Sequence, residues 1–145
     1  MLNTLINPAP QKLKNQLGAT AVEFAIILFL FILILFGIIE FGLLMYNQHV
    51  ITNAGREGAR FGIVFRDDRR SKSEIISKVN SYANNYTISF SDPNWNVDVS
   101  NLSNSTYNKC INSNDKLEVS LDFKYNFLFL NYSIDLNSTT IMICE

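Results

Sequence analysis

The chain has few of the residues that build catalytic or metal centres. Its 145 residues include one histidine, two cysteines and one tryptophan. The histidine, His49, is distant in sequence from Cys110 and Cys144, and the three do not form a recognised metal-ligand pattern. We therefore expect neither a bound metal nor a cofactor.

Motifs that carry enzyme chemistry are also missing. No glycine-rich phosphate loop follows a strand pattern, no histidine pair has metal-ligand spacing, and no nucleophile elbow occurs. The 13 acidic and 12 basic residues leave a net charge of -1, and nothing in this balance favours nucleic acid. We expect a non-enzymatic protein with no nucleic-acid partner. An anchored hydrolase is a minor alternative that would require a polar cleft.

What the chain does have is a long apolar run, concentrated between Phe24 and Tyr46. As a helix, the uncharged part from Phe24 to Ile39 covers about 24 Å, against roughly 30 Å for the hydrocarbon core of a bilayer. Extension through Tyr46 supplies the difference and places Glu40 near the far interface, where we expect its carboxylate to reach water. This predicts one spanning helix with membrane lipid as a partner. A cleaved secretory signal is the alternative, but the run exceeds the usual apolar core of about 7 to 15 residues and has Glu23 beside it.

The flanks of this run predict its orientation. Lys12 and Lys14 precede it without an acidic neighbour. Positive residues favour the cytoplasmic side, so we expect the N-terminus inside the cell and the residues after Tyr46 outside.

The helix is expected to continue beyond the membrane, because no proline interrupts residues 47–65. Small residues recur there at helical spacing, at Gly55, Gly58, Ala59 and Gly62. One interpretation is a stripe that lets another helix approach closely. The other is that each glycine simply weakens the helix, by about 1 kcal/mol relative to alanine. The sequence leaves both open.

The remaining residues predict a small α+β domain. Ser71 and Glu74 form a capping-box pattern ahead of a short helix over residues 71–84. Alternating apolar and polar residues predict strands over 86–90, 95–99, 117–125 and 132–143, with a turn at 92–94. We expect the two helices to pack against a small antiparallel sheet.

A loop rich in asparagine and serine, residues 101–115, separates two of these strands and is long enough to need a function or a tether. Cys110 lies within it. Because Cys110 and Cys144 both fall on the side assigned to the oxidising compartment, we predict a disulfide between them.

The segment Gly18-Ala-Thr-Ala-Val-Glu23-Phe24, between a short basic leader and the apolar helix, resembles the processing site of type IV pilin-like proteins. Two further stretches, Phe36-Gly-Ile-Ile-Glu-Phe-Gly42 and Thr52-Asn-Ala-Gly-Arg-Glu-Gly-Ala-Arg60, extend the resemblance to the TadE-like family. Members of that family are minor pseudopilins of the tight-adherence pilus machinery. The resemblance implies a pilin-like fold.

The resemblance also implies roles for individual residues. A prepilin peptidase would cut between Gly18 and Ala19, and Glu23 and Phe24 would take part in subunit assembly. The new amine of Ala19 would pair with Glu23 of the same or a neighbouring subunit, since opposite charges can meet in the membrane interface. The alternative for Glu23 is that its side chain reaches the cytoplasmic headgroups without a role in assembly.

Together these expectations divide the chain into a cytoplasmic leader (1–18), a transmembrane helix (19–46), its extracytoplasmic extension (47–66) and an outer α+β domain (67–145). The predicted function is that of a single-pass pseudopilin of the bacterial inner membrane, with its C-terminal domain periplasmic or extracellular and associated with a pilus after processing. The implied partners are a prepilin peptidase, other pilins or pseudopilins and inner-membrane assembly proteins. The alternative is an uncleaved single-pass protein whose outer domain is a binding or scaffolding module.

Overall fold

The computed structural model describes residues 13–65, 67–90, 95–129 and 132–145, with side chains described from residue 18 onward. Most of the predicted leader and the predicted turn at 92–94 lie outside these residues. In chain order the elements are α1 (Leu13–Ile63), α2 (Lys72–Tyr86), β1 (Trp95–Asn101), β2 (Lys116–Asn126) and β3 (Ser133–Ile143). The predicted α+β class, with a long apolar N-terminal helix, a short second helix and a small antiparallel sheet, is confirmed.

The chain divides into two compact units, with the boundary between Ile39 and Glu40. The described side chains of the first unit, residues 18–39, are all exposed. The second unit, Glu40–Glu145, contains the packed core and the predicted outer domain, and we call it the outer unit. It begins earlier than the predicted end of the spanning segment at residue 46. The reason is that Glu40 is already hydrogen-bonded to Tyr125 of the sheet.

Helix α2 begins at the predicted capping box. The Glu74 amide donates to the Ser71 hydroxyl at 3.3 Å, and the Glu74 carboxylate accepts from the Ser71 amide at 2.7 Å. The helix ends where Thr87 donates both its amide and its hydroxyl to the carbonyl of Ala83. Residues spaced by four form the buried face, namely Ile75, Val79 and Ala83.

The sheet has the strand order β1-β2-β3, and both pairs are antiparallel. Strand β2 lies in the centre and corresponds to the predicted strand over 117–125. Every second β2 residue is buried: Leu117, Val119, Leu121, Phe123 and Tyr125. The alternation observed in the sequence therefore reflects one face against the core and one in solvent.

The prediction of a strand over residues 86–90 is wrong. Tyr86 still belongs to α2, and the backbone of Ile88 is bonded to a side chain instead of a strand. Its amide donates to Asn47 Oδ1 at 3.0 Å, and its carbonyl accepts from Asn47 Nδ2 at 2.9 Å. These bonds occupy the groups that a neighbouring strand would need.

The core lies between the second half of α1, α2 and one face of the sheet. Its α1 members are Ile51, Ala54 and Ala59, each fully buried. The glycines of the same stripe face this core. A Cβ added at Gly58 would lie 2.2 Å from Val79 Cγ2, and one at Gly62 would lie 2.6 Å from Leu117 Cδ2. The small-residue stripe thus brings α1 close to α2 and β2 of its own chain.

Gly55 lies on the same helix next to β3, where an added Cβ would be 3.3 Å from Thr140 Oγ1. The stripe therefore contacts all three neighbouring elements, with its tightest contact at Gly58. This close contact depends on the absence of a side chain.

The 101–115 loop is fixed at several points. Cys110 and Cys144 form a disulfide across 34 residues of sequence, with their Cα atoms 5.9 Å apart. Within the loop, Asp115 Oδ2 accepts hydrogen bonds from the amides of Asn112 and Ile111 and from the side chain of Asn101. These bonds, that from Asn112 first, hold the pKa of Asp115 below its usual range. The disulfide and these hydrogen bonds fix the conformation of the loop within the outer unit.

The substitution Gly58→Ala tests the close contact. The stiff, β-branched Val79 cannot easily move aside, and overpacking typically costs about 1 to 3 kcal/mol. This exceeds the gain of about 1 kcal/mol in helix propensity. We expect a lower melting temperature for the full chain, followed by the fluorescence of Trp95, which stacks on Phe123 in the sheet.

The matched control is Gly42→Ala, because an added Cβ at Gly42 has no neighbour within 4 Å among the described residues. It should keep or raise the melting temperature. Equal melting temperatures for the two variants would contradict the close contact at Gly58.

Candidate functional site

The predicted processing and assembly residues lie on the first part of α1. Gly18, Ala19 and Glu23 are exposed, and Phe24 is 63% exposed. Ala19 and Glu23 are four residues apart, so they share one face of the helix and are separated by about 6 Å along its axis. No described residue lies within 4 Å of a Cβ added at Gly18. All four residues are thus available to an external partner.

The apolar side chains that follow are exposed on every side of the helix up to Ile39. A helix that is apolar all round requires an apolar environment. Among the described residues, α1 is the one helix long and apolar enough to cross a membrane. By length and composition the chain fits a single-pass membrane protein.

The expectation that Glu40 reaches water is wrong. Its side chain is only 7% exposed, because Oε1 accepts hydrogen bonds from the Tyr125 hydroxyl at 3.0 Å and the Leu128 amide at 2.8 Å. The other oxygen, Oε2, is buried with no hydrogen-bond partner within the described residues. Burial, together with the hydrogen bond to Glu40, raises the pKa of Tyr125 to about 12. Glu40 therefore attaches α1 to the end of β2.

A second attachment lies less than two turns further along the helix. Asn47 is fully buried and holds the backbone of Ile88 through both polar atoms of its amide, in the manner of a neighbouring strand. Its neighbour Tyr46 donates its hydroxyl to the carbonyl of Tyr86 at 2.9 Å. Gln48 donates to the carbonyl of Asn137 in β3 at 3.0 Å. Three consecutive residues thus reach segments on both sides of the helix.

Neither attachment was predicted from the sequence. A signal was present, because Glu40 and Asn47 are polar residues in or beside an apolar run and such groups need hydrogen-bond partners once buried. Their partners, however, lie between 41 and 88 positions away in sequence. Composition and periodicity contain no information about contacts at such distances.

His49 is exposed on α1. Within the part of the chain that the structure describes, no group of three histidine, cysteine or carboxylate residues could hold a metal ion. The described residues thus form an exposed apolar helical segment, residues 18–39, and a separate compact unit that begins at Glu40.

The Tyr125–Glu40 bond gives a prediction with a pH dependence. Tyr125→Phe leaves Glu40 Oε1 with the Leu128 amide alone, and a hydrogen bond to a charged group contributes about 1.5 to 3 kcal/mol. We expect a lower free energy of unfolding for the variant in neutral solution. The folded-state pKa of Tyr125, about 12, lies above its ordinary value of 10.0. The folded state therefore holds this proton more tightly, so the contribution is complete below pH 10 and is lost as the pH rises towards 12.

The measurement is the difference in unfolding free energy between wild type and Tyr125→Phe across that pH window, where it should narrow. Tyr132→Phe is the control, since Tyr132 is 66% exposed. A constant difference for Tyr125→Phe across the window would show that the phenol does not have a raised pKa.

Comparison with known protein families gives a match to part of α1. The family model described as TadE-like protein matches residues 18–60, which include Gly18, Glu23, Glu40 and Asn47. No curated protein and no solved structure matched the chain. The match confirms the resemblance that the motifs of this segment predicted, and this family is associated with the tight-adherence pilus system. Over residues 18–60, the greater part of α1, the chain is similar to the TadE-like family.

Proposed function

We propose that the chain is a minor pseudopilin, cut after Gly18 by a prepilin peptidase and incorporated through α1 into a tight-adherence pilus or its assembly machinery. The observation that supports this best is the TadE-like match over residues 18–60 combined with the exposure of the residues from Gly18 to Phe24. The proposal includes no catalytic step by this chain. Its partners are the peptidase, other pilins or pseudopilins and inner-membrane assembly proteins.

The environment of Gly18 is compatible with peptidase access. It has no side chain, and the described neighbours leave open space around it. Glycine also lowers helix stability by about 1 kcal/mol relative to alanine, so this turn of α1 opens more easily than the apolar turns that follow. Both properties favour access of a membrane peptidase to the Gly18–Ala19 bond.

Glu23 needs a counter-charge if it lies in the membrane. An ionised carboxylate at the centre of a spanning helix costs about 2.5 to 3.5 kcal/mol on insertion scales. Cleavage would create a cationic amine at Ala19, on the same helix face and at the positive end of the helix dipole. The amine of the same or a neighbouring subunit would offset this cost and favour one axial register between helices.

A second candidate function is an uncleaved single-pass protein whose outer unit binds or scaffolds a partner. One observation favours it: α1 begins at Leu13, ahead of Gly18, so the Gly18–Ala19 bond lies inside a continuous helix. The two candidates differ in the first residue of the protein in its native membrane.

Processing is tested by the intact mass and N-terminal sequence of the protein recovered from native membranes. We expect the wild type to begin at Ala19 and Gly18→Val to remain uncut, because a branched side chain would occupy the position that the peptidase must approach. Gly37→Val is the control, as Gly37 lies in the same helix in open space, and it should be cut normally. A wild-type chain that still begins at Met1 would refute processing and support the second candidate.

Assembly is tested by Glu23→Gln, which removes the charge but keeps the size of the side chain. We expect this variant to be cut after Gly18 but to be absent from sheared pili or from the assembly complex, as detected by immunoblot. Glu57→Gln serves as the control, because Glu57 lies on the outer part of α1 and forms an ion pair with Lys78 in a solvent-exposed setting. Normal incorporation of Glu23→Gln would show that Glu23 has no role in subunit pairing.

A further inference from the structure

Six large apolar or aromatic side chains remain exposed at one end of the outer unit. They belong to the segment after α2 and to the segment between β2 and β3, and each is between 41% and 66% exposed. We call this set the apolar rim: Tyr86, Ile88, Phe90, Leu128, Phe129 and Tyr132. Such a cluster on one end of a small domain indicates an interaction surface.

The rim is fixed next to the point where α1 enters the outer unit. The Leu128 amide donates to Glu40, the first residue of that unit. The backbone of Ile88 is hydrogen-bonded to Asn47. The carbonyl of Tyr86 accepts a hydrogen bond from the hydroxyl of Tyr46, which precedes Asn47 in the chain. The rim therefore lies at the end of the outer unit that is joined directly to the apolar run.

Charge is distributed unequally along the same unit. Residues 79–91 and 125–134, which contain the rim, have no charged side chain in the sequence. Residues 67–74 and 109–118, near the other end of α1, contain ten charged side chains. A rim free of charge but rich in tyrosine and phenylalanine has the composition of the aromatic belts that proteins place at the membrane–water interface.

The length of the apolar run also places the rim at the membrane–water interface. Residues 24–39 cover about 24 Å, and a hydrocarbon core of roughly 30 Å leaves about 6 Å, or four further residues. Residues 40–43 must then lie within the bilayer or at its boundary. Glu40 is among them, and its carboxylate is shielded there by the segment that contains Leu128.

We propose that the apolar rim inserts into the interfacial layer of the bilayer that α1 spans, so that the outer unit lies on the membrane surface before any assembly step. The ligand is the glycerol and upper acyl-chain region of phospholipids. This inference rests on α1 spanning the membrane but not on cleavage after Gly18. It also explains why Glu40 is enclosed, since a water-exposed carboxylate could not enter this layer at low cost.

The attachments predict different depths for the two halves of the rim. Leu128 is held at Glu40 and Ile88 at Asn47, seven residues further along the helix, which is about 10 Å. Tyr132, whose carbonyl accepts from the Phe127 amide, belongs to the deeper half. The segment from Tyr86 to Phe90 should lie among the headgroups.

The test places single tryptophans in the full chain and measures quenching by lipid bromine. The native Trp95 is replaced by phenylalanine, which retains a ring on Phe123. Tyr132→Trp and Ile88→Trp report on the rim, and Phe31→Trp reports on the apolar helix. Tyr107→Trp, in the loop at the opposite end of the outer unit and 44% exposed, is the matched control. Each variant is reconstituted into phosphatidylcholine vesicles with brominated acyl chains.

We expect Phe31→Trp and Tyr132→Trp to lose most of their emission, Ile88→Trp to lose less, and Tyr107→Trp to lose none. Bromine near the headgroup end of the acyl chains should quench Tyr132→Trp more strongly than bromine near the chain ends. Quenching of Phe31→Trp alone would overturn the proposal and leave the spanning helix intact. If emission of the rim tryptophans shifts to the blue as the protein-to-lipid ratio rises, without bromine quenching, the rim binds a second copy of the chain instead. Absence of quenching at Phe31→Trp would refute the spanning helix and the rim proposal together.

Discussion

The close approach of α1 to its neighbours at Gly58 and Gly62 is the constraint on which the outer unit depends. Over its described residues the unit has three strands and one short helix of its own, too little to enclose a core. The second half of α1 covers the remaining side of the core. It can pack this closely because Val79 and Leu117 occupy the space that side chains at positions 58 and 62 would otherwise fill. The first half of the helix is therefore apolar and exposed, and its second half is part of the core.

The two environments of α1 explain why polar residues, Glu40 and Asn47, occur where one changes to the other. Where α1 passes from exposed apolar turns to packed turns, Glu40 and Asn47 bind the backbone at Leu128 and Ile88. Each saturates groups that the short sheet leaves without a strand partner, and the part of α1 from Glu40 onward is thereby fixed against the rest of its own unit.

Local patterns predicted the elements of the fold better than their contacts. The capping box of Ser71 and Glu74 and the alternation along β2 are short-range signals, and both gave elements within one or two residues of their observed ends. The failures at Glu40 and at residues 86–90 have a common cause. In each case a side chain of α1 binds a distant backbone segment, and this long-range bond overrides the local pattern. The candidate site could be proposed from the sequence for the opposite reason: the residues from Gly18 to Phe24 form one contiguous motif, which needs no knowledge of distant contacts.

The disulfide between Cys110 and Cys144 has a mechanical consequence. If a force pulls α1 away from the residue that follows Cys144, the covalent path runs from the helix through residues 64–110 and then crosses the sulfur–sulfur bond. Residues 111–143, which include all of β2 and β3, form a closed loop outside that path. Tension can strip α2 and β1 from the unit, but it cannot extend the β2–β3 hairpin while the bond is intact. Under traction the unit would thus retain its β2–β3 hairpin, on which α2 and β1 can fold again when the load is released.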